Sequence, residues 1–229
     1  MSLAMAPPVR RSASRWLGWV GLALAGLGYW GPWIWHPSAA LTLIGLDLGE
    51  FVKFLPSVRS GQLTLHREIF FLPAAALSLN LTLIAYRRGS RLKWRGKIIA
   101  SLGAIAIALA MLPPAWSLAT LRLPEFRTLT ILIALCVVFA LAGPIWRGLP
   151  RCWLGGVALF SAALAAVGPL WQFWLVLPAI QTAYGRPLAI GWGPVTMAFG
   201  WLLFAASEGL QMTQHGREGN STGYVKHSD

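Results

Sequence analysis

Residues 68–86 read EIFFLPAAALSLNLTLIAY and run directly into RRGSRLKWRGK at 87–97. The first stretch carries one charge, Glu68, at its very start; the second carries six basic residues. At 1.5 Å per residue the first rises about 28 Å, close to the thickness of a bilayer's hydrocarbon core. Backbone groups in hydrocarbon are satisfied only inside a helix or a closed barrel, and an unbroken apolar run without alternation selects the helix. The basic run behind it then marks the side of the membrane on which the helix ends.

Read outward, the pattern recurs. Further apolar stretches lie at 16–35, 97–113, 128–146, 153–177 and 188–210. They predict an all-α fold, a polytopic transmembrane helical bundle of about six spans, in a single membrane domain over 1–214. Gly168-Pro169 inside the fifth stretch predicts a kink or tilt. Composition agrees: 56% of the residues are hydrophobic and 11% are charged, where a soluble domain carries about a quarter charged. Thirteen Trp fit the headgroup boundary, where an apolar ring with one N–H finds both its surroundings. The polar segment 215–229 is expected to be a disordered tail.

Lys and Arg set the orientation. With the N-terminus inside, the cytoplasmic side receives Arg10, Arg11, Arg15, Arg87, Arg88, Arg91, Lys93, Arg95, Lys97, Arg147, Arg151, Arg217 and Lys226. The outer side receives Lys53, Arg59, Arg67, Arg122, Arg127 and Arg186. Thirteen against six places both termini in the cytoplasm and the protein in the plasma (inner) membrane as a multi-pass chain. The basic N-terminus followed by an apolar run resembles a signal peptide. Its run is long, however, and ends in bulky Tyr29, Trp30, Trp33 and Trp35, so a retained helix with an interfacial aromatic anchor is expected.

The net charge of +12 does not point to nucleic acid, because the cations flank apolar runs. Arg87, Arg88, Arg91, Lys93, Arg95 and Lys97 are instead expected to meet anionic lipid headgroups. Cys136 and Cys152 offer neither a disulfide nor a thiolate metal site. No cofactor is expected, and no serine-protease, metalloprotease or P-loop pattern occurs.

Stripes of small residues, Gly18, Gly21, Ala25 and Gly28 in the first span and Gly103, Ala106 and Ala110 in the third, suit close helix packing or docking of a partner. The connection 36–67 is too long for a turn. Over 39–58 it sets Asp47, Glu50, Lys53 and Ser57 on one side of a helix and Ile44, Leu48, Phe51, Val52 and Leu55 on the other. This predicts an amphipathic helix, either interfacial or re-entrant. His36 and His66 fall on the same outer face. At depth, Asn80 with Ser78 and Thr82 needs partners and is read as interhelical bonding or as part of a polar path.

Three functions are compatible with these features. The first is a non-catalytic membrane subunit or scaffold, docking to other membrane subunits or to a second copy. The second is a small permease or transporter component built around Asn80. The third is a membrane enzyme acting on a lipid-linked substrate through Asp47, Glu50 or His66. No catalytic constellation accompanies those residues, so an enzyme is not the expectation.

Overall fold

The stretch that opens the sequence reading forms a five-residue 3-10 turn, Arg67–Phe71, followed by helix Leu72–Tyr86, which lies at the centre of the protein. Pro73 occupies the first turn, where its missing N–H costs nothing. The computed structural model describes residues 8–36, 42–88, 90, 92–113, 116, 117, 119, 121 and 123–223, with side chains omitted for 8–13 and 214–223. In chain order the main elements are α1 (Pro8–Trp30), β1 (Pro32–Trp35), β2 (Leu43–Ile44), α2 (Gly45–Phe51), α3 (Pro56–Arg59), α4 (Leu72–Tyr86), α5 (Trp94–Leu109), α6 (Pro124–Leu141), α7 (Arg151–Tyr184), β3 (Ala189–Ile190) and α8 (Gly193–Gly223).

The chain is mostly helical, and three helical segments are long and apolar enough to cross a membrane: Arg67–Tyr86, Pro124–Leu141 and Arg151–Tyr184. They differ in surroundings. The apolar window of the first is 78% buried within the protein, against 28% in α6 and 33% in α7. So α4 is the protein-facing core helix, packed by α1, α5, α6 and α7, while α6 and α7 turn Leu135, Val138, Phe160, Val167 and Trp171 outward.

The most extensive helix contact joins α1 to α8. A methyl group on Gly21 would lie 2.6 Å from Phe204 N, and one on Gly28 would lie 2.6 Å from the Gly193 carbonyl oxygen. From the other side, a methyl on Gly200 would lie 2.7 Å from the Gly21 carbonyl oxygen. The glycine stripe of α1 is therefore filled by α8 of the same chain. In α5 the packed stripe is Ala100, Ala104 and Ala108, whereas Ala106 and Ala110 face outward, one helix face away from the expected line.

Several expected boundaries shift for physical reasons. The first helix stops at Trp30, since Gly31-Pro32 cannot continue it, and 32–35 become a strand. β1 pairs antiparallel with β2 and β3, in the order β2-β1-β3, with Ile34 opposite Ile190 and Trp35 opposite Ala189. The fold is thus a helical bundle with a small sheet, not wholly α. Tyr29 and Trp33, expected as interfacial anchors, are fully buried under this cap: Tyr29 Oη donates to the Phe70 carbonyl (3.0 Å), and Trp33 packs edge-on against Phe173.

The single amphipathic helix expected over 39–58 is also absent among the described residues. Pro56 holds Leu55 extended (φ −66°, ψ 132°), which splits the segment into α2, a 3-10 turn at Val52–Phe54 and α3. Its apolar side, Leu48, Val52 and Leu55, packs onto the protein's own core. Residues 37–41 lie outside the described set. α7 continues as one helix through Pro169 and Pro178 to Tyr184, where Gly185 in the left-handed conformation ends it. α8 continues to Gly223, so residues 215–223 of the expected disordered tail are helical, and 224–229 lie outside the described residues.

The α1–α8 seam gives a direct prediction. Gly21→Ala forces a methyl against backbone and is expected to lower stability by about 1–3 kcal/mol, as overpacking does. Gly209→Ala, in the same helix pair but with nothing within 4 Å of the added carbon, is expected to be neutral or slightly stabilising. Thermal unfolding of the two variants in detergent compares them directly.

Candidate functional site

Polar side chains gather in three places: a layer inside the bundle, a cluster under the cap, and a cluster at the opposite end. The interior layer is built on α4. Ser78 Oγ donates to the Ala104 carbonyl of α5 (2.8 Å), an approach that the small Ala100, Ala104 and Ala108 allow. Thr82 Oγ1 donates back to the Ser78 carbonyl one turn earlier (3.0 Å). Asn80 Nδ2 donates to Ser161 Oγ of α7 (2.9 Å), while Asn80 Oδ1 is buried with no partner. Cys136 of α6 points its thiol at the Ala75 carbonyl, 3.9 Å away. All three α4 residues are fully buried.

The cap end collects most of the acidic residues. Glu50 Oε2 meets Lys53 Nζ at 2.7 Å, the pairing expected for residues three apart on a helix. The network then extends to positions that sequence reading did not join. Glu125 Oε1, in the first turn of α6, takes Arg67 Nη1 at 2.9 Å and Lys53 Nζ at 3.4 Å. Arg67 Nη2 also donates to the Glu125 carbonyl, and Arg67 Nε faces Glu68 at 3.5 Å. Lys53 and Arg67 both lie over the Phe126 ring, at 5.5 and 5.1 Å from its centre. Glu125 has a signature of its own, an acid just inside a Pro-started helix, but its partners lie 58 and 72 residues away and no local spacing reveals them.

Asp47, expected beside Glu50 and Lys53, stays outside this network. It lies in the first turn of α2, and desolvation by the packing around it raises its carboxyl pKa from the ordinary value, against the pull of a hydrogen bond from the Ile44 backbone. His36 and His66 do not form a pair. His36 contacts Arg186 and stacks obliquely on Tyr184. His66 is exposed, and its backbone N–H and carbonyl are both bonded by the Gln172 carboxamide, at 3.2 and 2.9 Å. No group of three His, Cys, Asp or Glu side chains among the described residues could hold a metal ion.

At the opposite end, Arg87 Nη1 meets Glu208 Oε1 at 2.7 Å, with both side chains largely buried (16% and 6% exposed). This sets Arg87 apart from the other basic residues of its loop. Beside the pair, Ser207 Oγ donates to the Ser14 carbonyl (2.6 Å) and receives Gln211 Nε2 (3.0 Å), fastening α8 to the start of α1. Two loops also meet here. Arg88 Nε donates to the Arg147 carbonyl (2.8 Å), Arg151 Nη2 donates to the Arg88 carbonyl (2.7 Å), and the Arg147 guanidinium lies 5.8 Å from the centre of the Tyr86 ring. Arg91 is outside the described residues; Lys93 and Arg95 are exposed.

No family model, curated protein or solved structure matches the chain. The arrangement of its own residues therefore carries the functional argument alone.

The two ionic clusters differ in burial, and so in expected energetics. Glu208→Ala strands Arg87 in the interior and is expected to cost about 3–5 kcal/mol, whereas the double variant Arg87→Met/Glu208→Leu recovers most of that loss. Glu125→Gln, at a position whose side chain is half exposed, is expected to cost about 1 kcal/mol or less and to matter less at high salt. A double-mutant cycle for the first pair and a salt series for the second, both by thermal unfolding, measure the contrast.

Proposed function

We propose that the chain is a non-catalytic subunit or scaffold of the plasma (inner) membrane, with about six spans and both termini cytoplasmic. The observation that carries this reading is the way the polar side chains at depth are used. Ser78 bonds α5 and Asn80 bonds α7, so these two groups join helices to each other, while Thr82 bonds its own helix. A solute path would need such groups turned toward a shared lumen. Three of the acids under the cap, Glu50, Glu68 and Glu125, are likewise engaged by Lys53 and Arg67, which leaves them poor candidates for a general base; Asp47 stands apart from them with no metal-binding group around it among the described residues. The outward Ala106 and Ala110 face of α5 remains open to a partner helix or a second copy.

A small permease is the second reading, and one observation favours it: Asn80 Oδ1 is buried without a partner beside Ser161. Mild-detergent purification from native membranes separates the two readings. Stable co-purification with other membrane proteins supports a subunit. Recovery as a lone monomer that moves a solute in liposomes, with the flux abolished by Asn80→Leu, would replace it by the permease.

The native cysteines test the orientation without engineering. Cys152 is exposed next to the basic loops, and Cys136 is buried. A membrane-impermeant maleimide is expected to label Cys152 in inverted vesicles and not in intact spheroplasts, with Cys136 unlabelled in both. Labelling in spheroplasts alone would reverse the topology.

A further inference from the structure

We infer that the α4–α5 and α6–α7 loops together form a binding site for the headgroup of one anionic glycerophospholipid, with Arg88, Arg147 and Arg151 as its cationic residues. The inference deepens the membrane reading above and rests on it. In the sequence the basic residues of these loops are about sixty positions apart; in the fold each loop grips the backbone of the other. Arg88 donates through Nε to the Arg147 carbonyl and through Nη2 to the Gly148 carbonyl (3.4 Å), and Arg151 returns a bond to the Arg88 carbonyl. This reciprocal clasp brings the exposed side chains of Arg88 and Arg151 to the backbone of Arg147, whose own exposed guanidinium lies over the Tyr86 ring.

Like charges so placed repel, and no carboxylate among the described residues offsets them, since Glu208 is engaged by Arg87. Local backbone adds to the positive field. α5 and α7 both begin in this region, each without an acidic residue in its first turn and without a side-chain cap, so their N-terminal dipoles stand uncompensated. A phosphodiester meets both needs. The guanidinium groups of Arg88 and Arg151 are already fixed on carbonyls, which reduces the ordering that binding would otherwise require.

The occupant is a lipid and not a free phosphate because of what surrounds the cations. Trp94, Ile145, Leu149 and Trp153 are all exposed on the same two connections. An apolar and aromatic rim beside a cationic centre matches an amphiphile, whose acyl chains continue along the outward face of α7 past Val157 and Phe160. The outer cations Lys53 and Arg67 also lie beside aromatic rings, but they are neutralised by Glu50, Glu68 and Glu125.

The test uses the full chain in neutral detergent, titrated with phosphatidylglycerol, phosphatidylcholine or soluble glycerol phosphate. Thermal unfolding and native mass spectrometry provide the readouts. Phosphatidylglycerol is expected to raise the melting temperature saturably and to remain bound one per chain, while the other two do neither. Arg147→Gln leaves the clasp intact, because the clasp uses its carbonyl, and is expected to weaken the effect about fivefold, as loss of one charge near a lipid surface does. Arg59→Gln at the opposite end is expected to leave it unchanged. Equal responses to both lipids, displacement of the lipid by glycerol phosphate, or an unaltered Arg147→Gln titration would overturn the site. Should Arg147→Gln fail to fold, the wild-type lipid selectivity decides alone. Release of the chain from membranes by alkaline carbonate would overturn the membrane reading and the site together, whereas retention without lipid selectivity would overturn only the site.

Discussion

The backbone-to-backbone contact of α1 with α8 is the constraint on which the rest of the protein depends. It joins the two ends of the sequence, so every element between them must leave and return within the geometry it sets. Apolar burial alone cannot supply such a contact, because the glycines along the seam carry no side chain to bury. Close approach can, because it multiplies dispersion contacts and Cα–H···O contacts along the full seam. That is why Gly21, Gly28 and Gly200 meet backbone and not side chain. Ser207, bonded to the Ser14 carbonyl, continues the same seam at the basic end.

With that pair fixed, the two ends of the bundle follow opposite physical strategies. Under the cap, the sheet β2-β1-β3 satisfies backbone groups that connecting loops would otherwise leave bare, and it fastens the connection after α1 to the one before α8. Glu50, Glu68 and Glu125 there meet Lys53 and Arg67, the two cations that lie over Phe126. At the other end Glu208 is matched to Arg87 in the interior, and Arg88 and Arg151 hold backbone carbonyls. Lys53 and Arg67 in the cap cluster are balanced by its own acids; the exposed arginines at the other end meet no carboxylate among the described residues.

What could be read in the sequence follows the range of the interaction. Helix existence was legible in unbroken apolar runs, and the glycine stripe of α1 in steps of three and four, because both are local. The matching line on α8, Gly193, Gly200 and Ser207, recurs every seven residues with bulky Met197 and Phe204 between its members, so it does not stand out as a stripe of small residues. Pro56 was a visible helix breaker whose effect on 39–58 the amphipathic pattern obscured. Asn80 announced itself as a costly residue at depth, but its partner Ser161 lies 81 positions away, and nothing local to either residue encodes that separation. The same holds for Arg67 with Glu125 and for Arg87 with Glu208.

The two ion clusters also explain why the central helix can be both apolar and accurately placed. α4 carries no charged residue along its length, so apolar packing alone would leave its position along the bundle axis weakly determined. Its start is held by Arg67, Glu68 and the Phe70 carbonyl under the cap, and the residue just beyond its end, Arg87, is held by α8. Between these anchors, Ser78 and Asn80 direct two separate faces toward α5 and α7. Ion pairs fix the ends and single neutral hydrogen bonds fix the middle, where an unpaired buried charge would be far costlier than an unpaired amide. The unpartnered Asn80 Oδ1 shows that lesser cost borne within the same helix.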